Sequence, residues 1–324
     1  MKLKIFALLF IAFFALSCNN TIELNAPYKE IAVVYGFIDE NAPYQAIRIQ
    51  KAFQTSGNVT IADAANNPDS IYFDTLIVTL KNLTTGINYP CVRIDTIPKD
   101  SGFFGSTKNV VYLTVIPKNA NLINEVYELE IINPVSGNTY RSRANIVKNA
   151  IIEGRNIFLS TAPNAFLPFR FTQGANAVIH DCSIKLNYTE HEANDTSIKT
   201  NKFVEYFLVK NQEINRQGQM VDLRVRTVEL IAFWKNYIKP DNTKKRYVTS
   251  IEYVVYAGGN DFKVLLDLAK PNTSIVQKKP EFSNIENGLG IFTSRNLVIA
   301  GPPQITLGSS TIDIIVQELP NFYK

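Results

Sequence analysis

From residue 31 onward this chain is a succession of short apolar stretches separated by turn-forming residues. Ile31 to Ile38 is apolar on both sides, the pattern of a central strand. Asp39 to Pro43 turns it. Tyr44 to Phe53 follows with Ile47 and Ile49 alternating against Arg48 and Gln50, a half-buried antiparallel partner. Gln54 to Ser70 has no periodicity and reads as a long loop. Strands resume at Leu76 to Leu80, Asn88 to Ile94, Val110 to Ile116, Glu125 to Ile132 and Tyr140 to Ile146. Thr84-Thr85-Gly86 and Ser136-Gly137-Asn138 are turns between them. A run of short strands without a helix predicts an immunoglobulin-like β-sandwich over residues 29–147.

The pattern changes after a connector at 148–168. Asn176 to Glu190 is a long strand whose inward face reads Val178, His180, Cys182, Ile184, Leu186 and Tyr188, with companions at Lys202 to Val209 and Tyr247 to Tyr256. Leu230, Phe233, Trp234 and Tyr237 recur at helical spacing before Pro240. Asn260 is the expected cap of a second helix carrying Phe262, Leu265, Leu266 and Ala269, stopped by Pro271. Ser310 with Asp313 has the form of a capping box opening a third, through Ile312, Ile315, Val316 and Leu319. The fold class is therefore mainly β: a sandwich followed, over 169–324, by an antiparallel α+β unit with about three helices. Between the last two helices, Glu281 to Phe292 fits no regular element. Ser283, Asn284, Gly288 and Gly290 mark it as a structural loop whose two glycines are expected at positive φ, and Ile291 to Ile299 leaves it as a strand.

The N-terminus has a different character. Lys2 and Lys4 precede an apolar run from Ile5 to Leu16, too short to span a bilayer, which ends in Ser17-Cys18. That is a secretory signal over 1–17. With cysteine at the cleavage point it resembles the bacterial lipobox, in which the thiol is diacylated. Ala15 stands where that pattern usually carries Leu, and the Ser-Cys ending is like that of Bacteroidota lipoproteins. Cys18 is then the lipid attachment site, roughly 307 residues remain in the mature chain, and its residues 18–28 are a polar tether.

Charge narrows the partners. The chain carries 33 basic and 29 acidic residues, a net of +4. Without a strong field, no nucleic-acid partner is expected. Besides Cys18, the cysteines are Cys91 and Cys182, which fall in different units and are expected as separate buried thiols. Lys244-Lys245-Arg246 reads as a solvated hairpin edge.

The chain as a whole is similar to the Bacteroidota outer-membrane lipoproteins grouped as domain-of-unknown-function family 4249. The residues that carry the resemblance are Asn176-Ala177, Asn187-Tyr188-Thr189-Glu190 and, above all, Ser283 to Phe292. The resemblance implies an envelope location and an association with TonB-dependent transport. It supplies no catalytic residue.

Candidate chemistry is sparse. His180, Cys182 and His191 are the best metal-ligand types, with His180 and Cys182 on one strand face and His191 near the strand's end. Their better reading is a core histidine and a buried thiol, so neither a metal nor a cofactor is expected. No hydrolase, phosphate-loop or dinucleotide motif occurs. Asp69-Ser70-Ile71, Asp74-Thr75-Leu76 and Asp95-Thr96-Ile97 resemble short O-glycosylation signals. The reading is a lipid-anchored envelope protein, not an enzyme, with a binding or accessory role beside a TonB-dependent transporter. A structural or adhesive envelope protein is the alternative, and a hydrolase the third. Cys18 is followed by Asn19-Asn20-Thr21-Ile22-Glu23, with one acidic residue, so the outer membrane's periplasmic leaflet is expected, the cell surface being the alternative.

Overall fold

A computed structural model describes residues 29–52, 60–96, 108–118, 124–270 and 282–324. The expected signal sequence, Cys18 and the expected tether lie outside the described residues. In chain order, β1 (Ala32–Ile38) and β2 (Gln45–Lys51) are followed by α1 (Ile61–Asn66) and α2 (Pro68–Ile71). Then come β3 (Ile77–Asn82), β4 (Asn88–Pro90), β5 (Val92–Ile94), β6 (Val111–Thr114), β7 (Val126–Ile132) and β8 (Thr139–Asn145). Short β9 (Ile151–Ile152) and β10 (Arg155–Ile157) lead to β11 (Phe166–Thr172), β12 (Ile179–Glu192), β13 (Asp195–Glu213) and β14 (Met220–Arg226). The chain closes with α3 (Thr227–Tyr237), β15 (Lys244–Gly258), α4 (Asn260–Ala269), β16 (Leu289–Ala300), β17 (Ile305–Leu307) and α5 (Ser309–Glu318).

Strands dominate, in several antiparallel sheets with helices added, as the patterning predicts. The backplane is one eight-stranded sheet in the order β13-β12-β15-β16-β1-β2-β6-β5. Its pairings are antiparallel except one: β1 lies parallel to β16, with Val34 opposite Gly290 and Ile38 opposite Ser294. Over β1, β2 and β6 the inner face is covered by the sheet β4-β3-β7-β8. Val34, Ile47, Leu80, Tyr127 and Leu129 meet between them, joined by Phe292 from β16. Over β12 and β15 the inner face is covered by the sheet β14-β11-β9 and by α3 and α5. There Phe169 stacks on Tyr253 at 4.5 Å, and Trp234 and Ile315 are buried.

Several expectations are corrected. Within the loop expected over 54–70 the chain is helical at 61–66 and again from Pro68 to Ile71. Thr60 supplies a capping box with Asp63, and Asn67 caps the next turn, with Pro68 at its start. The stretch 88–94 is two strands, because the chain changes sheet at Cys91: β4 pairs with β3, while β5 pairs with β6. The connector contains β9 and β10 and the first residues of β11. The strand expected over 202–209 extends from 195 to 213, since β12 offers a partner along its whole length. β11 and β14 were not visible as strands; they pair with each other from Phe166–Arg226 to Thr172–Met220. The helices at 260 and 309 start after Gly259 and Gly308, with no side-chain cap, so neither Asn260 nor Ser310 is the N-cap.

The parallel pairing depends on Gly290. Its φ is +105°, and a Cβ there would lie 2.0 Å from the Val34 carbonyl oxygen. No side chain fits between strands at that approach. Gly290→Ala is expected to lower stability by about 3 kcal/mol or more, from strain plus displaced backbone. Chemical denaturation checks this; a variant within 1 kcal/mol of the parent, on the order of an ordinary surface change, would refute it.

Candidate binding cleft

The loop at 283–290 is built by its own side chains. Asn284 behaves like a missing piece of strand: its Oδ1 accepts from the Phe292 N–H at 2.9 Å, and its Nδ2 donates to the Phe292 carbonyl at 2.7 Å. The same Nδ2 donates to Asp261 Oδ2 at 2.8 Å, in the first turn of α4. The Ser283 hydroxyl donates to the Gly288 carbonyl and accepts from the Ile285 N–H, both at 3.2 Å. Asn287, not Gly288, takes positive φ (61°), and its Nδ2 donates to the Thr139 carbonyl on β8. Gly288 is needed for closeness instead: a Cβ there would lie 2.8 Å from the Ala32 carbonyl oxygen. The loop thus fixes β16 beside β1 and ties α4 to the sheet.

Where β16, β15, β12 and α4 meet, the outer face of the large sheet carries a cleft of about 490 Å³. Its walls include Phe207, Tyr256, Leu297, Phe262 and Leu266. Tyr256 pairs across the sheet with both Asp181 and Leu297, which puts the three on one face. α4 lies over this face because Gly258 leaves room; a Cβ there would sit 2.3 Å from the Phe262 ring. Phe262 packs edge-on against Phe37, centroids 5.6 Å apart. No residue of α4 is fully buried, so this helix roofs the cleft more loosely than α3 and α5 cover the inner face.

The polar groups of the cleft are few. Asp39 is buried; its Oδ1 accepts from the Asn41 N–H at 2.9 Å. Burial holds this carboxyl above its ordinary value, against the pull of that N–H and of the Arg295 charge. Asp181 Oδ1 accepts from the Asn211 N–H at 2.6 Å, at a point where β13 slips register and Asn211 takes φ 49°. Arg295 is exposed, with its guanidinium 5.6 Å over the Phe37 ring. None of these residues is marked by a motif. The available signal was apolar side chains at outward strand positions, Tyr256 and Leu297, where alternation alone would place polar ones.

The candidate metal residues are not brought together. His180 is buried at 1% exposure, with its ring 6.0 Å from Phe171. Neither ring nitrogen has a well-formed hydrogen bond, although the backbone of Val178 and Gln212 pulls weakly toward protonation. Burial outweighs that pull and takes the pKa down to about 4. Cys182 is buried in the second core, its thiol pushed up to about 12 by burial. Cys91 is half-buried, and neither thiol is in a disulfide. His191 stacks on Tyr247 at 5.4 Å, and its Nδ1 lies 2.6 Å from the Glu192 carbonyl. Among the described residues no group of three or more His, Cys, Asp or Glu could hold a metal ion. Of the candidate glycosylation positions, Thr75 and Thr96 are exposed and Ser70 is half-buried at the end of α2.

Arg246 corrects the reading of the basic run. It is buried, with Nε 2.8 Å from Glu190 Oε2 and Nη1 donating to the Lys239 and Pro320 carbonyls at 3.0 Å. Lys202 reaches the other Glu190 oxygen at 2.5 Å. The side chain is turned inward because the last residues of the chain run back across β15, with Phe322 beside Arg246.

No family model matches this chain, and no curated protein matches it. Among solved structures, one described as a cytokine receptor complex is 10% identical with a TM-score of 0.21, over 71% of this chain and 92% of that one. Another, CBD12 from CALX1.2, is 9% identical with a TM-score of 0.21, over 85% and 99%. At this similarity neither speaks to fold or chemistry.

Two predictions concern titration and the buried pair. His180 is neutral in the folded state down to about pH 4, whereas its ordinary value is 6.5. Stability is therefore full above 6.5 and declines as pH falls toward 4, by about 3 kcal/mol at the limit. Urea denaturation at pH 7.5 and 5 should show this slope, and His180→Leu should flatten it; an unchanged slope would refute the assignment. Burial would raise the Glu190 carboxyl, but its bonds to Lys202 and Arg246 hold it below its ordinary value of 4.5. Its contribution is present above that value and lost as pH falls through the folded pKa. Glu190→Ala strands Arg246 and should cost about 3–5 kcal/mol at neutral pH. A loss under about 1 kcal/mol, typical of an exposed pair, would show that Arg246 is solvated.

Proposed function

We propose that this protein is a lipid-anchored component of a bacterial cell envelope that binds a ligand, in an accessory role beside a TonB-dependent outer-membrane transporter. The observation that carries the binding role is the cleft: an apolar concavity of about 490 Å³ with a few converging polar groups has the size and chemistry of a ligand site. Binding fits it better than catalysis. Asp39 and Asp181 each commit an oxygen to a backbone N–H. His180 is held neutral with its ring against Phe171.

Anchoring is supported by the sequence alone, through the short apolar run and Ser17-Cys18. Two acyl chains hold firmly where one gives marginal affinity. The single acidic residue in Asn19 to Glu23 favours the periplasmic leaflet of the outer membrane. The tether would then present the cleft to the transporter's periplasmic face.

Cys18→Ser is expected to move the protein from the membrane to the soluble fraction, or to leave it unprocessed. Fractionation and intact mass check this, and unchanged fractionation with unchanged mass would overturn the anchor. Protease added to intact cells should leave the protein whole; cleavage would place it on the surface. Affinity capture from detergent-solubilised envelope should recover a TonB-dependent transporter, and its absence would overturn the partner.

A further inference from the structure

We infer that the cleft beneath α4 takes a single-chain amphipathic carboxylate, with its apolar chain against Phe207, Tyr256, Leu297 and Leu266 and its carboxylate on Arg295. This rests on the reading of the cleft as a ligand site.

The walls decide the body of the ligand. Tyr256 is 40% exposed on a strand whose inner face is fully packed, and Ile299, two residues beyond Leu297 on β16, is 50% exposed. An unbranched chain lying along this face would cover the Tyr256–Leu297 pair and continue toward Ile299. Each buried methylene contributes about 0.8 kcal/mol, or roughly fourfold in affinity. The opening between sheet and α4 is bounded by Phe262, which Gly258 admits, so the space is built into the backbone of β15.

The charges decide the head. Three charged side chains line the cleft: Asp39, Asp181 and Arg295. Both carboxylates already accept from backbone N–H groups, Asn41 and Asn211. Asp39 is also buried, in the tight turn that Gln45 closes by bonding its backbone N–H and carbonyl at 2.8 and 2.9 Å. Each thus has one oxygen tied to its own loop, and as acceptor-only anions both would repel rather than hold an anionic head. Arg295 is the opposite case. It is exposed, has its guanidinium carbon 5.6 Å from the Phe37 ring centroid, and makes no ion pair within 4 Å among the described residues. A guanidinium without an ion partner can offer its N–H fork to a planar carboxylate, and contact with an aromatic ring uses none of those donors. Of the neutral amides, Asn296 commits its Nδ2 to the Val147 carbonyl at 3.3 Å.

The experiment uses the whole chain from residue 18, produced as Cys18→Ser so that no acyl chain of its own competes. Decanoate, decanol and decylamine are titrated by calorimetry, with Nile red as a neutral fluorescent reporter. Decanoate is expected to bind about tenfold more tightly than decanol, and decylamine more weakly than either. Octanoate should bind about 15-fold more weakly than decanoate, for two methylenes. Arg295→Met should remove the preference for decanoate while leaving decanol and Nile red binding and the melting temperature unchanged. Leu266→Trp, which fills the cleft, should abolish all binding. Equal affinity for acid and alcohol, or tighter binding of the amine, overturns the carboxylate while the cleft stands. If Nile red and all three probes fail to bind a normally folded protein, the cleft is no ligand site and both readings fall.

Discussion

One parallel contact holds this molecule in its shape. β16 arrives late in the chain yet lies between β15 and β1, antiparallel to the first and parallel to the second. Each half has its own core: Leu80, Tyr127 and Phe292 in one, Phe169, Trp234 and Tyr253 in the other. The sheet they share makes the halves two sides of one backplane. A parallel pairing cannot be closed by a hairpin, so its register must come from elsewhere. Here it comes from the loop before it, where Asn284 bonds both backbone groups of Phe292 and Gly290 lets the chain approach Val34.

Around that contact the joint is polar. Ser294 donates to the Ile38 carbonyl at 3.1 Å and accepts from the Val147 N–H at 2.7 Å, joining the end of β1, the residue just before the connector and β16 at one hydroxyl. Lys148 lies between Glu40 at 3.1 Å and Glu125 at 2.6 Å, all three largely out of water. Charges placed there are tolerable only while paired and hydrogen-bonded, and such arrangements specify geometry more than they stabilise it. Glu40 also accepts from the Asn149 N–H, so the connector is held to the β1–β2 turn. That turn carries Asp39 to the rim of the cleft. The same interactions that align the halves therefore place the cleft's polar edge.

The cleft follows from what covers the backplane. Its inner face is packed by sheets and by two helices with buried residues, Leu230 and Trp234 on one, Thr311 and Ile315 on the other. Among the described residues its outer face bears α4, and α4 buries no residue completely. A weakly packed helix over an apolar sheet face leaves space that a ligand can share. Asn284 ties that helix to the loop through Asp261, so backplane, loop and roof are one mechanical unit.

The sequence by itself determined the strands with clear alternation, the three helices with apolar residues at helical spacing, and the Ser283 to Gly290 loop, because these depend on neighbours within a few residues. Asn284 and Gly290 were readable for the same reason: a self-bonding side chain and a missing Cβ act locally. Only the tertiary structure decided which strands share a sheet, since β1 and β16 are too far apart in the chain for any pattern to pair them. It also turned Arg246 inward. A basic run looks solvated until Glu190 and the Pro320 carbonyl are found beside it. The cleft was equally out of reach, because Asp39, Asp181, Tyr256 and Arg295 come from four separate stretches, and nothing local distinguishes an outward tyrosine that lines a site from one that faces water. The proposed anchor at Cys18 is the reverse case: it rests on eighteen residues of sequence alone, because a processing signal is read by enzymes as a linear pattern before any fold exists.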